Sequence, residues 1–276
     1  AQSCKGYVSF ELLFDTYKTE TMRPELAAFE RLLDIIIELR EKCPWDRKQT
    51  IESLRYLTIE ETYELSDAII DNDMEEVKKE LGDLMMHVVF YSQIGFERKE
   101  FAIDDVLNSV CDKLIRRHPH IYGKRSNLTD DQVKLNWEKL KLKDGKNSVL
   151  EGVPKTLPSI LKSMRIQQKV SNVGFKWANK KEAKEKVHEE LNELYDEINS
   201  GDLEKINNEF GDVLFSLINF GKQIGINPDS SLEKANKKFI KRFMSLEKKM
   251  NFDNKNFENS TKKELREYWE IAKKEI

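Results

Sequence analysis

From Leu26 to Lys42, the apolar residues Leu26, Phe29, Leu32, Leu33, Ile36 and Ile37 recur at steps of three and four, and Arg40 closes the row. That period lays one apolar stripe along an α-helix with a polar end. The same period predicts helices over 51–70, 73–96, 103–117 and 129–143, and again over about 157–172, 180–199, 202–225, 230–250 and 261–275. No segment alternates as a convincing strand does. Asn72 breaks the second helix, and Asp73 with Glu76 three residues later predicts an N-cap with a reciprocal acid. Gly145, Asn147, Ser148, Gly152, Pro154 and Pro158 cluster as breakers and predict a linker. The expected architecture is therefore all-α. Two tandem helical domains, 26–143 and 157–276, are joined by a linker over 144–156 and preceded by an N-terminal extension over 1–25.

Composition narrows the picture. Glycine (11) and proline (6) are scarce among 276 residues, which suits long helices and disfavours a turn-rich sandwich or barrel. The most apolar stretch, Leu84 to Phe96, holds His87, Ser92 and Gln93 and is too short to span a membrane. A net charge of −3 gives no global reason to expect a nucleic-acid partner. Three widely spaced cysteines fit a reducing compartment rather than a disulfide framework. The first residues carry no basic-then-apolar leader pattern, so a cytoplasmic location is the expectation.

The two halves repeat one another at an offset of 129. Glu60, Glu61 and Glu64 recur as Glu189, Glu190 and Glu193, and Glu80 with Asp83 recurs as Glu209 with Asp212. Over residues 60–83, 11 of 24 positions are identical without a gap. A period this long exceeds a solenoid unit and reads as domain duplication.

Spacing then brings the acids together. Residues three or four apart share a helix face, so Glu61 pairs with Glu64, and Glu80 with Asp83. Glu64 lies eight residues before Asn72 and Glu80 eight after, so both sit about 12 Å from the turn of an antiparallel hairpin. Glu193 and Glu209 stand in the same relation to Gly201. Converging carboxylates cannot all ionise cheaply, and oxygen-only ligands favour a hard cation, Mg2+ or in its place Mn2+. Each set lies in a strongly acidic window: residues 60–83 and 189–212 carry a net charge of −8 apiece, inside a basic remainder. A redox di-metal bundle would use Glu-x-x-His pairs. Here the partners are Glu and Asp, and His87 has Ser216 as its counterpart, which favours a packed histidine. A non-catalytic helical scaffold would need no such repeated acids.

With these motifs in place, the chain resembles the all-α nucleoside triphosphate pyrophosphohydrolases, in their two-domain MazG branch. The resemblance rests on Cys43-Pro44-Trp45-Asp46, the two acid sets, Arg116-Arg117-His118-Pro119-His120, Asn172-Val173-Gly174-Phe175 with Trp177, and Lys234-Ala235-Asn236, over about residues 26–276. It implies an all-α fold of two tandem four-helix-bundle-like domains, and a Mg2+-dependent homodimer that cleaves a nucleoside triphosphate to the monophosphate and pyrophosphate. It implies metal ligands at Glu190, Glu193, Glu209 and Asp212, with Glu189 or Glu190 acting on the attacking water. It implies nucleotide contacts from Lys186, Lys205, Asn208, Asn236, Lys238, Arg242 and Trp269, with Lys238 and Arg242 as a phosphate clamp. Trp269 is equally suited to helix packing, and Lys186 to a salt bridge along its helix. In the first half, Glu60, Glu61, Glu64, Glu80 and Asp83 are candidate metal ligands, and Lys113 and Arg117 candidate phosphate contacts. Lys186 has Leu57 as its counterpart, and the resemblance places the main activity in the second half.

Overall fold

A computed structural model describes residues 23–123 and 147–276, and between them only 128–129, 132–133, 135–137 and 140. Residues 1–22 of the expected extension and most of the helix expected at 129–143 lie outside the described residues, and the last two residues of that extension, Pro24 and Glu25, belong to the first helix. Among the described residues there are helices and no strand. The chain divides into two compact units that meet between Arg116 and Arg117, upstream of the breaker-rich 144–156 segment.

The first unit opens with α1 (Pro24–Lys42), followed by a 3-10 turn (Asp46–Lys48), α2 (Ile51–Asp71), α3 (Met74–Glu97) and α4 (Ile103–Arg117). Pro24 at the first helical position starts α1 earlier than the apolar period alone indicates. Thr50 caps α2 in a reciprocal capping box with Ser53. Asn72, at φ 58°, ends α2 in the left-handed region, and Asp73 then caps α3 by accepting from the Glu75 and Glu76 amides. The expected reciprocal role of Glu76 gives way to an ion pair, in which its carboxylate takes Lys79 Nζ at 2.6 Å. Ile36, Leu54, Val89, Phe90 and Ile94 form the core, where α1, α2 and α3 bury their apolar stripes. Arg40, the polar end of the α1 stripe, lies over the Phe90 ring and pairs with Glu97. It also donates to the carbonyls of Asp46 (2.6 Å) and Gln49 (3.0 Å), which pins the Cys43–Asp46 motif to the end of α1.

The second unit starts at Arg117 and includes the short α5 (Pro119–Tyr122), which the sequence period does not predict because one turn carries no period. Its main body is α6 (Ser159–Asn172), α7 (Lys180–Ser200), α8 (Leu203–Gln223), α9 (Pro228–Phe252) and α10 (Lys262–Glu275). Asn179 caps α7, Gly201 at φ 77° turns the chain, and Asp202 caps α8. Thr50 and Asn179, Asn72 and Gly201, and Asp73 and Asp202 all keep the offset of 129, so the duplication extends to the turn chemistry. The α6 helix lies on α8, tied by Gln167 Nε2 donating to the Phe215 carbonyl at 2.8 Å. A second hairpin, α9 with α10, closes over Leu246, Met250 and Ala272.

Candidate active site

The α2–α3 hairpin holds Glu61, Glu64 and Glu80 so that one carboxylate oxygen from each lies within 4.8 Å of the other two. The α7–α8 hairpin does the same with Glu190, Glu193 and Glu209. The equal count of residues on either side of each turn is what brings the helices to this register.

Each cluster has one buried, one half-buried and one exposed carboxylate. Glu80 is fully buried, its Oε1 accepts from Lys79 Nζ at 3.0 Å, and its Oε2 is buried with no donor. The Lys79 ammonium beside it holds the Glu80 carboxyl below its ordinary value. Burial pushes Glu61 up to about 7, helped by its contact with Glu80 and by the charges of Asp83 and Glu64. Glu61 and Glu80 are thus close enough to share a proton, which a divalent cation would displace. Asp83 acts on Glu61 through its charge but stands outside the three-carboxylate set, and Glu60 is exposed on α2.

In the second cluster Glu190 is buried and Glu193 exposed. Partial desolvation by its neighbours raises the Glu193 carboxyl, and the charge of Glu190 adds to the rise while Lys186 opposes it. Lys186 donates to Glu189 at 2.6 Å and lies 2.7 Å from Glu190, so it bridges the two acids. Those contacts raise its own pKa. Asp212 is exposed on α8, outside the three-carboxylate set.

Each cluster therefore has a resident lysine, supplied from different helices. Lys79 belongs to α3 and has Asn208 as its counterpart, while Lys186 belongs to α7 and has Leu57. The sequence reading misses Lys79, although its spacing to Glu76 and its adjacency to Glu80 are the available signal.

The remaining predicted residues spread more widely. Lys205 pairs with Glu197 near the hairpin turn at 3.7 Å. Asn236 donates to Glu233 at 3.2 Å. Lys238 and Arg242 lie on α9, whose main partner is α10. The charge of Arg242 helps hold the Glu270 carboxyl down, after the hydrogen bond from Lys273. Trp269 packs on the Leu246–Met250–Ala272 core with its ring 5.1 Å from that of Phe239, so helix packing accounts for it within this unit. In the first unit Lys113 is exposed on α4, and in the second the Arg117 carbonyl accepts from Trp137 Nε1 at 2.8 Å. His87 is buried beside Tyr91, and burial lowers its pKa, as a packed neutral histidine requires.

The residues fit a divalent cation. Both sets offer only oxygen ligands, and Glu80 Oε2 is a buried carboxylate oxygen with no hydrogen-bond donor. No helix is long and apolar enough to cross a membrane among the described residues.

Comparison with known proteins shows the family. The sequence model of the MazG nucleotide pyrophosphohydrolase domain matches residues 49–122 and 179–245, which contain the two hairpins. A Thermotoga maritima protein named nucleoside triphosphate pyrophosphohydrolase/pyrophosphatase MazG is 40% identical over 250 residues, 89% of this chain and 95% of its own length. The nucleoside triphosphate pyrophosphohydrolase of Escherichia coli K12 is 37% identical over 228 residues, 79% of this chain and 87% of its own. The Mycobacterium tuberculosis protein of the same name is 32% identical over 158 residues, 55% of this chain and 48% of its own. With both carboxylate hairpins inside the matched segments, the chain belongs to the MazG nucleotide pyrophosphohydrolase family and carries the MazG domain twice.

Proposed function

We propose that the chain hydrolyses nucleoside triphosphates to the monophosphate and pyrophosphate with Mg2+, or with Mn2+ in its place. The single observation that carries the reading is the pair of three-carboxylate clusters, duplicated at one offset inside the matched family segments. When bound, the cation would screen the triphosphate oxygens and lower the pKa of a water molecule. Glu190, Glu193 and Glu209 would hold it in the second unit, with Asp212 as a further ligand, and Glu61, Glu64 and Glu80 would hold it in the first.

Glu189 is exposed and stands outside the three-ligand set, so we assign to it the orientation and deprotonation of the attacking water. Lys186 now neutralises Glu189 and Glu190; a cation on Glu190 would free its ammonium for a phosphate oxygen. Attack at the α-phosphorus then expels pyrophosphate, whose developing charge Lys238 and Arg242 would meet. Main activity is assigned to the second half. The proposed domains are 26–143 and 157–276, in a cytoplasmic homodimer with neither membrane nor nucleic acid as partner. Phe239, Ile240 and Met244 on α9, and Phe210 and Leu214 on α8, are each 48–62% exposed, and a dimer would cover such surface.

Pyrophosphate release from each nucleoside triphosphate, with Mg2+ and then with excess chelator, tests the reading. Chelator should abolish release, and release that survives chelation would contradict the metal's role.

A further inference from the structure

Lys79 has no part in the chemistry above, yet its ammonium lies between two carboxylates. It donates to Glu76 Oε1 at 2.6 Å and to Glu80 Oε1 at 3.0 Å. Glu76 stands one turn earlier on α3 and outside the three-carboxylate set, whereas Glu80 belongs to the set and is fully buried. The Lys79 side chain is itself 59% exposed, so it joins a buried cluster member to the surface.

The second unit repeats this arrangement with different residues. Lys186 Nζ lies 2.7 Å from Glu190, the buried member of its cluster, and 2.6 Å from Glu189 outside the cluster. Duplication does not account for the match, since Lys79 has Asn208 as its counterpart and Lys186 has Leu57. The two lysines come from opposite helices of their hairpins. A helix salt bridge explains the pairs three apart, Glu76 with Lys79 and Lys186 with Glu189. It does not explain why each ammonium also meets the one buried carboxylate of its cluster.

Counter-charge does explain it. A buried carboxylate needs a cation beside it, and Lys79 supplies one to Glu80. A divalent cation held by Glu61, Glu64 and Glu80 supplies more charge at the same place and repels the ammonium. We infer that Lys79 couples cation binding to anion binding in the first unit: it neutralises Glu80 until a divalent cation does so, and the displaced ammonium then receives an oxygen of an oligophosphate. By linkage, cation and oligophosphate each tighten the other. The inference rests on the metal and triphosphate reading above, and adds to it a lysine that the repeat does not place.

The test uses the full chain carrying Glu193→Gln, which cripples the second cluster and leaves the first intact. Electron paramagnetic resonance follows free Mn2+, and calorimetry follows inorganic tripolyphosphate at fixed free Mn2+. Adding Lys79→Gln, a change at an exposed side chain that spares the fold, should tighten Mn2+ binding about fivefold. The same change should weaken Mn2+-dependent tripolyphosphate binding about tenfold. Lys79→Arg keeps the charge and should restore most of the tripolyphosphate affinity. A lysine that only props Glu80, or only staples α3, predicts otherwise: both affinities fall together, or neither moves. Either result overturns the inference, as does a fall in tripolyphosphate affinity with no gain for Mn2+. Both readouts are binding and stay separate from turnover. Pyrophosphate release that survives chelator sinks the proposed activity, whereas unmoved affinities with hydrolysis intact sink only the role of Lys79.

Discussion

Glu61 and Glu264 show opposite electrostatics in one chain. The Glu61 carboxyl is pushed up to about 7 by burial and by neighbouring acids, so the folded, metal-free protein retains a proton that the unfolded chain has lost. Stability therefore falls as pH rises from about 4.5 to about 7. Glu61→Gln removes that dependence: its melting temperature without metal should exceed that of the unaltered protein at pH 8 and match it near pH 4. Mg2+ should raise the unaltered protein's melting temperature more at pH 8 than at pH 5.5, because the cation must displace the shared proton. Glu264, held down to about 2 by Lys255 and by the Thr261 cap, has the reverse sign. Its contribution is complete above about 4.5 and is lost as pH falls towards 2. Melting curves of Glu264→Gln should therefore converge on those of the unaltered protein in acid and lie below them at neutral pH.

At the scale of the helices, each hairpin holds a carboxylate cluster and the hairpin's ends set its register. Asp73 and Asp202 begin the second helix of each hairpin, and Asn72 and Gly201 make the turns. Asp202→Ala should cost about 1 kcal/mol, read by urea denaturation, and should weaken metal binding in the second unit more than in the first. These features were legible in the sequence because they are local: apolar period, cap residue, turn residue and equal counts to the turn. Paired acids at a repeated offset were legible for the same reason. What was not legible depends on packing between elements. Arg40 reads as the polar end of a stripe, yet it ties α1 to the Asp46 turn. Trp269 admitted two readings until α10 was seen to close on α9. Gln167 looks like any helical glutamine until α8 buries it.

At the scale of the whole chain, the two copies differ in the lysine each cluster holds. Both halves assemble a three-carboxylate cluster, but Lys79 serves the first and Lys186 the second, from different helices. Lys186 reaches the exposed Glu189 as well as a cluster ligand, whereas Lys79 joins the buried Glu80 to Glu76. That difference favours turnover in the second half. Glu193→Gln should lower pyrophosphate release at least a hundredfold, roughly the loss of one transition-state charge contact. Glu64→Gln should leave much of it, and the opposite ranking would move the main activity to the first half. Underlying both is the bond that breaks. Each nucleoside triphosphate is incubated with the chain and Mg2+, and monophosphate, diphosphate, pyrophosphate and orthophosphate are then quantified separately. Monophosphate and pyrophosphate in equal amounts, with no orthophosphate, is the predicted result; nucleoside diphosphate with orthophosphate would contradict it.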